Sequence, residues 1–229
     1  MTHFNFLILC IKCGIDVQNK TNKNIYMPYY PNKHLLYIHI PKTGGSTIEI
    51  CLDQNDKKTL FSGHGNRLFP NKELQKISLQ HQTFQTLKDY EGFTQIPFNE
   101  DLKIISCVRN PYTRLVSDLF HWNLIHQKST KEETYRVIKK YIYKDIYDNH
   151  NKPQIQFLTY NDMPIPNINI VKTETLNVDL ERLGYKIKRN YNVGKKSHLN
   201  YYDYLNTDSI QLINHVYYED FTTFDYKML

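Results

Sequence analysis

Cysteine is scarce. Cys10, Cys13, Cys51 and Cys107 are the four among 229 residues, too few for the disulfide framework of a small secreted domain. Cys10-Ile11-Lys12-Cys13 has the spacing of half a zinc site, and no second pair completes it. All four read as reduced, mainly structural thiols. Long apolar runs are missing too. Phe6–Ile11 falls far short of the roughly 20 residues of a membrane span, and it lacks the basic start and small-residue cleavage site of a secretory signal. Residues 1–30 therefore read as an N-terminal strand or loose tail, with no membrane span and a cytoplasmic location expected. The Walker loop G-x-x-x-x-G-K-[ST] and the dinucleotide fingerprint G-x-G-x-x-G are both absent. No basic run or stacking motif marks a nucleic-acid binder, although 29 Lys and Arg against 23 Asp and Glu leave a net charge of +6. That surplus suits a polyanionic ligand. No cluster with metal-ligand spacing is visible, and no metal is expected.

What is present centres on His34–Asn55, HLLYIHIPKTGGSTIEICLDQN. Leu35–Ile40 is an apolar, partly β-branched run that predicts a buried strand. Pro41 stops it, because proline cannot donate to a sheet ladder. Thr43-Gly44-Gly45-Ser46 is a loop of small residues, two of them free to take positive φ. Thr47–Leu52 then predicts a helix with Ile48, Cys51 and Leu52 on one side. Strand, glycine loop and helix together aim backbone N–H groups and a helix N-terminus at an anion. Lys42 adds a charge; Ser46 and Thr47 add hydroxyls. The competing reading is a strand-to-helix turn that needs glycine for its backbone alone.

Leu102–His126 repeats the plan. Ile104–Val108 predicts a buried strand, Arg109-Asn110-Pro111 breaks it with proline well placed to start a helix, and Tyr112–His126 carries Leu115, Leu119 and Trp122 at helical spacing. Arg109 stands at the strand end, where its planar fork can bind a phosphate. Ser117 follows eight residues, about two helical turns, later. The alternative gives Arg109 a structural ion pair and Ser117 a solvated face. Two anion loops at two strand ends suggest one ligand with phosphates at both ends.

The pair HIPKTGGST and VRNPYTRLVS resembles the two nucleotide-binding signatures of sulfotransferases that use 3′-phosphoadenosine 5′-phosphosulfate (PAPS), above all the carbohydrate branch with the heparan 2-O- and chondroitin and dermatan enzymes. The segment from Ser197 to Tyr226 resembles that family's closing segment, a helix leading to Tyr-x-x-Asp-Phe and a final Phe-x-Tyr. The resemblance implies a P-loop-like α/β domain over residues 31–229, a mostly parallel sheet with helices on both faces. Alternating strands and helices favour the same architecture. It further implies sulfuryl transfer from PAPS, as co-substrate, to the hydroxyl of an acceptor such as a glycan. Lys42, Thr43, Gly44, Gly45, Ser46 and Thr47 would hold the 5′-phosphosulfate, with Lys42 also catalytic; Arg109 and Ser117 would hold the 3′-phosphate. A small-molecule kinase would want a magnesium carboxylate and a Walker lysine, and neither is arranged here. A relative that binds nucleotide without turnover is the remaining alternative.

Transfer to a hydroxyl needs a base, and histidine titrates in the right range. His81, in SLQHQTF, best resembles the family's His-x-Thr segment, with His64 in Ser62-Gly63-His64-Gly65 as its rival. Thr83 is placed to cap a short helix bearing Phe84, Leu87 and Tyr90. Thr130 with Glu133 forms a capping box for a helix whose Tyr135, Ile138, Ile142 and Ile146 share a face, read as a helix covering the sheet. Pro153–Tyr160 matches a family segment near the acceptor. Ile168–Val171 reads as a strand, and Thr175–Leu183 as a helix closed by Gly184. Lys195, Lys196 and Ser197 are candidates for closing over the nucleotide. Asp208–Tyr218 reads as a helix, and Asp220 and Phe221 as structural.

Overall fold

A computed structural model describes residues 29–52, 69–144, 148–185 and 199–229. His64, Ile146, Lys195, Lys196, Ser197, Cys10, Cys13 and residues 1–28 of the N-terminal segment lie outside the described residues. In chain order the elements are β1 (Tyr29–Tyr30), β2 (Leu35–Ile38), α1 (Gly45–Leu52), α2 (Phe84–Asp89), α3 (Glu91–Thr94), β3 (Lys103–Val108), α4 (Pro111–His121), α5 (Lys131–Ile142), β4 (Thr159–Tyr160), β5 (Met163–Pro164), β6 (Ile168–Lys172), α6 (Leu176–Arg182), α7 (Thr207–Val216) and α8 (Tyr218–Thr223).

The main sheet runs β1-β2-β3-β6. β2, β3 and β6 are parallel, with Leu36 beside Ile104 and Ile104 beside Ile168, and β1 is an antiparallel edge. A parallel sheet is covered on both faces, so its strands read as continuous apolar runs. Leu35–Ile38 is wholly buried. On one face Leu36, Ile38, Ile104 and Val108 pack with Phe84, Leu87 and Phe157; on the other Leu35, Tyr37, Ile105 and Cys107 pack with Ile48, Leu52 and Leu180. The architecture is a mixed α/β domain with a mostly parallel sheet flanked by helices, as expected.

The helix caps follow the sequence. Thr83 Oγ1 accepts from Thr86 N–H, and the Thr130–Glu133 capping box is complete. Two expectations fail. α5 buries Thr134, Ile138, Tyr141 and Ile142 and ends before Ile146. Its apolar stripe meets α4, α7 and α8 in a separate helical core, so it covers helices, not the sheet. α4 stops at His121, not His126. Asn123 turns left-handed (φ 54°), and Leu124 and Asn123 N–H return to the Leu119 and Phe120 carbonyls. That is a Schellman closure with asparagine in the glycine position. Trp122, expected on the buried face, is 37% exposed.

Candidate active site

Because β2, β3 and β6 are parallel, the loops after them gather at one edge of the sheet, where such folds bind ligands. The first loop is held from behind. Its carbonyls at Ile40, Pro41, Lys42 and Thr43 accept, in turn, from Thr43 Oγ1 (2.8 Å), Arg114 Nε (3.1 Å), Arg109 Nη1 (3.1 Å) and Thr173 Oγ1 (2.8 Å). In a trans peptide the C=O and N–H point opposite ways, so these anchors turn the Thr43 and Gly44 N–H groups to the other side. The Gly45 and Ser46 N–H groups that open α1 join them, while the Thr47 and Ile48 N–H groups turn back to Gly44 O. The result is a nest of donors at a helix N-terminus.

Two residues of this loop are left-handed. Gly44 takes φ 89°, as the sequence allows, but the second left-handed residue of the loop is Lys42 (φ 67°), not Gly45. A non-glycine residue in that region costs about 1–2 kcal/mol, and such strain gathers at functional sites. Gly45 lies inside α1 and is required for another reason: a Cβ there would sit 2.0 Å from His39 Nε2. The glycine is the bed on which an imidazole lies.

The second loop is clamped equally. Gln154 Oε1 accepts from Arg109 N–H and its Nε2 donates to Arg109 O, both at 2.9 Å. Asp220 holds Gln154 in turn, accepting from the backbone N–H of Gln154 (2.8 Å) and Ile155 (2.9 Å). Asp220 thus has the structural role expected, though burial raises its pKa. Arg109 donates through Nε to Thr113 Oγ1 (3.0 Å), and its guanidinium lies 5.3 Å from the Tyr201 ring. Among the described residues no carboxylate forms an ion pair with it. Its link to Lys42 O makes the two loops one continuous rim. Ser117 is half-buried on α4, one turn beyond Thr113 and on the same helical face. Thr113 was not singled out in the sequence, although its i+4 spacing from Arg109 was there to read.

His81 ends a short 3-10 turn, Leu79–His81, and is buried. Its Nδ1 donates to Asp148 Oδ2 at 2.8 Å, which leaves Nε2 as the basic nitrogen. Burial pushes its pKa down to about 4, against the Asp148 hydrogen bond and with help from the His39 and His150 rings, so the ring is neutral at pH 7. Burial alone would raise Asp148, but hydrogen bonds from His81 and Ser78 outweigh it and hold the carboxyl below its usual range.

His81 does not stand alone. His39 Nδ1 meets Glu49 Oε1 at 2.7 Å, and His150 Nδ1 meets Asp118 Oδ1 at 2.6 Å; Tyr141 OH donates to the other Asp118 oxygen. The His39 and His81 ring centres are 5.1 Å apart, and those of His81 and His150 4.9 Å. Three histidine–carboxylate pairs thus form a row that begins against Gly45. Arg114 ties this row to the first loop, donating to His150 O (2.8 Å), Lys152 O (2.9 Å) and Pro41 O. Sequence reading found His81 only. His39 was visible as the polar residue closing a buried strand, but nothing local pairs Asp148 with His81, 67 residues away.

His81, Asp148 and His150 offer ligand atoms within 4.8 Å of one another, a donor set of the kind a metal ion uses. The Asp148 oxygens already accept from Ser78 N–H, Ser78 Oγ and His81 Nδ1, an arrangement that suits proton handling. Cys107 is buried with its thiol pushed up to about 12, an inert group that donates to Thr43 O. No described helix is long and apolar enough to cross a membrane.

Fold and site define an α/β scaffold with a mostly parallel sheet, whose strand-end loops converge on one rim. The profile of the sulfotransferase family matches residues 28–227. The chain belongs to that family, which includes carbohydrate sulfotransferases such as the heparan 2-O- and chondroitin enzymes. No curated protein and no solved structure gave a significant match. Family membership makes the chain a transferase of the sulfuryl-transfer class.

Proposed function

We infer that the chain transfers a sulfuryl group from PAPS to an acceptor hydroxyl on a glycan, through a P-loop-like cradle in a domain spanning residues 31–229. The observation that carries this reading is the Arg109–Lys42 link, which joins two donor-rich loops into one rim suited to a ligand with anions at both ends. The cradle suits such a group: its carbonyls are tied back by side chains, so its N–H groups are left to face a ligand. Thr43, Gly44, Gly45, Ser46 and Thr47 hold the 5′-phosphosulfate with backbone and hydroxyl donors. Arg109 and Ser117 hold the 3′-phosphate, and Thr113 steers the guanidinium.

Transfer forms an S–O bond to the acceptor and breaks the S–O bond to the 5′-phosphate. Lys42 stabilises negative charge that develops on the oxygen left behind, an electrostatic role. His81 Nε2 takes the acceptor's proton in place of its long 3.4 Å contact with Gln80 Nε2, and Asp148 fixes the tautomer in which Nε2 is the acceptor. The products are a sulfate ester, the 3′,5′-bisphosphate and a protonated His81. The scheme routes no step through a metal.

Calorimetric titration with 3′-phosphoadenosine 5′-phosphate, beside AMP, ADP and ATP without and with magnesium, tests the reading. Tight binding of the bisphosphate, weakened at least tenfold in Arg109→Ala (about 1.4 kcal/mol or more), is the expected result. Preference for ATP with magnesium would overturn it in favour of a kinase.

A further inference from the structure

We propose that Trp122, with His121 and His150 beside it, is a stacking platform for a pyranose ring of the acceptor. The proposal rests on the transferase reading above and adds the place where the acceptor binds. Trp122 is the chain's sole tryptophan and is 37% exposed. Single exposed apolar residues are ordinary on protein surfaces. This one differs in what lies behind it. Its ring centre is 5.1 Å from that of His150, which is 4.9 Å from that of His81. The row of imidazoles that starts against Gly45 therefore ends at an exposed indole. His121, exposed at the end of α4, stacks on His150 at 5.6 Å with the planes only 9° apart, and meets the Trp122 ring at 5.2 Å.

The platform is also rigid. Trp122 N–H donates to Asp118 O at 3.0 Å, left-handed Asn123 turns the chain immediately after it, and buried Ile125 pins the far side of that turn. A fixed aromatic face costs little entropy when a ligand settles on it. An indole face suits the C–H face of a pyranose, while the exposed His121 imidazole can hydrogen-bond the ring's hydroxyl edge; sugar sites need this mixture of apolar surface and few polar groups. The ring contacts of 5.1 Å and 4.9 Å laid end to end bound the distance from platform to His81, a reach for a disaccharide rather than a single unit. A hydroxyl on the unit next to the stacked one then comes to Nε2.

The sole tryptophan makes the test direct. Intrinsic emission is followed while the protein, held with 3′-phosphoadenosine 5′-phosphate, is titrated with unsulfated chondroitin oligosaccharide, heparosan oligosaccharide or N-acetyllactosamine, beside 2-naphthol and a tyrosine-containing peptide. A saturable change with at least one saccharide is expected. For that saccharide Trp122→Ala should raise KM about tenfold with bisphosphate affinity unchanged, and Trp122→Phe, which keeps an aromatic face, should recover most of the loss. Emission that responds to no saccharide, or only to naphthol or peptide, while the bisphosphate binds, overturns the platform. Emission that responds to saccharide in a protein that binds no bisphosphate keeps the platform and removes the transferase reading.

Discussion

The cradle after β2 and the histidine row beside it are built in opposite ways. The cradle is backbone: side chains from four places take its carbonyls and leave its amides. The row is side chain: each imidazole is oriented by its own carboxylate, Glu49, Asp148 or Asp118. Backbone sites depend on small residues in a short run and so are written locally. Side-chain sites depend on partners that only the fold brings near. In the proposed reaction the first construction would hold the donor and the second would prepare a proton acceptor.

That contrast breaks most sharply at His81. His81→Ala should lower kcat by about 10²–10⁴ with bisphosphate binding intact by calorimetry. Asp148→Asn should lose less. Because Asp148 raises the His81 pKa against burial, its loss moves that pKa further down. The acid limb of kcat/KM, expected near about pH 4 in the parent, should therefore shift to lower pH. An acid limb at 6 or above in the parent would remove His81 from the role. The same depression has a sign for stability: the unfolded chain takes up a proton that folded His81 refuses, so unfolding free energy falls as pH drops from about 6.5 toward the folded value. Denaturant melts across that window check it.

Lys42 tests the other construction. Lys42→Ala should cost about 10²–10³ in kcat. Lys42→Gly should be as inactive yet more stable by about 1 kcal/mol, since glycine takes φ 67° without strain. A melting temperature that falls in the glycine variant would show that the left-handed backbone is not where the strain lies. Gly45 is where the two constructions touch. Gly45→Ala should destabilise by about 1–3 kcal/mol, as overpacking does, because its Cβ meets His39. Adding His39→Ala should recover part of that loss, and purely additive effects would sever the link.

The fold was largely legible. The runs Leu35–Ile40 and Ile104–Val108 read as buried strands because a parallel sheet covered on both faces leaves no polar alternation. Thr83, Thr130 and Gly184 marked helix ends through local chemistry. Trp122 was misassigned because apolar spacing continues past the point where Asn123 closes the helix, and asparagine is a quieter stop than glycine. At the site, Lys42, Thr43 and Arg109 announced themselves by position. Gln154 and Asp148 did not, since their meaning lies in contacts 45 and 67 residues distant. The second glycine was noticed for the wrong reason: it answers to a neighbouring ring, not to a turn.

The clamp on Arg109 has a consequence for synthesis. Arg109 is held by Gln154, 45 residues further on, and Gln154 by Asp220, 66 residues beyond that. A ribosome that has made both strand-end loops has therefore made no finished rim; the arginine is set only when Asp220 emerges. A chain broken off before that residue keeps both strand-end loop motifs, yet lacks the carboxylate that sets them.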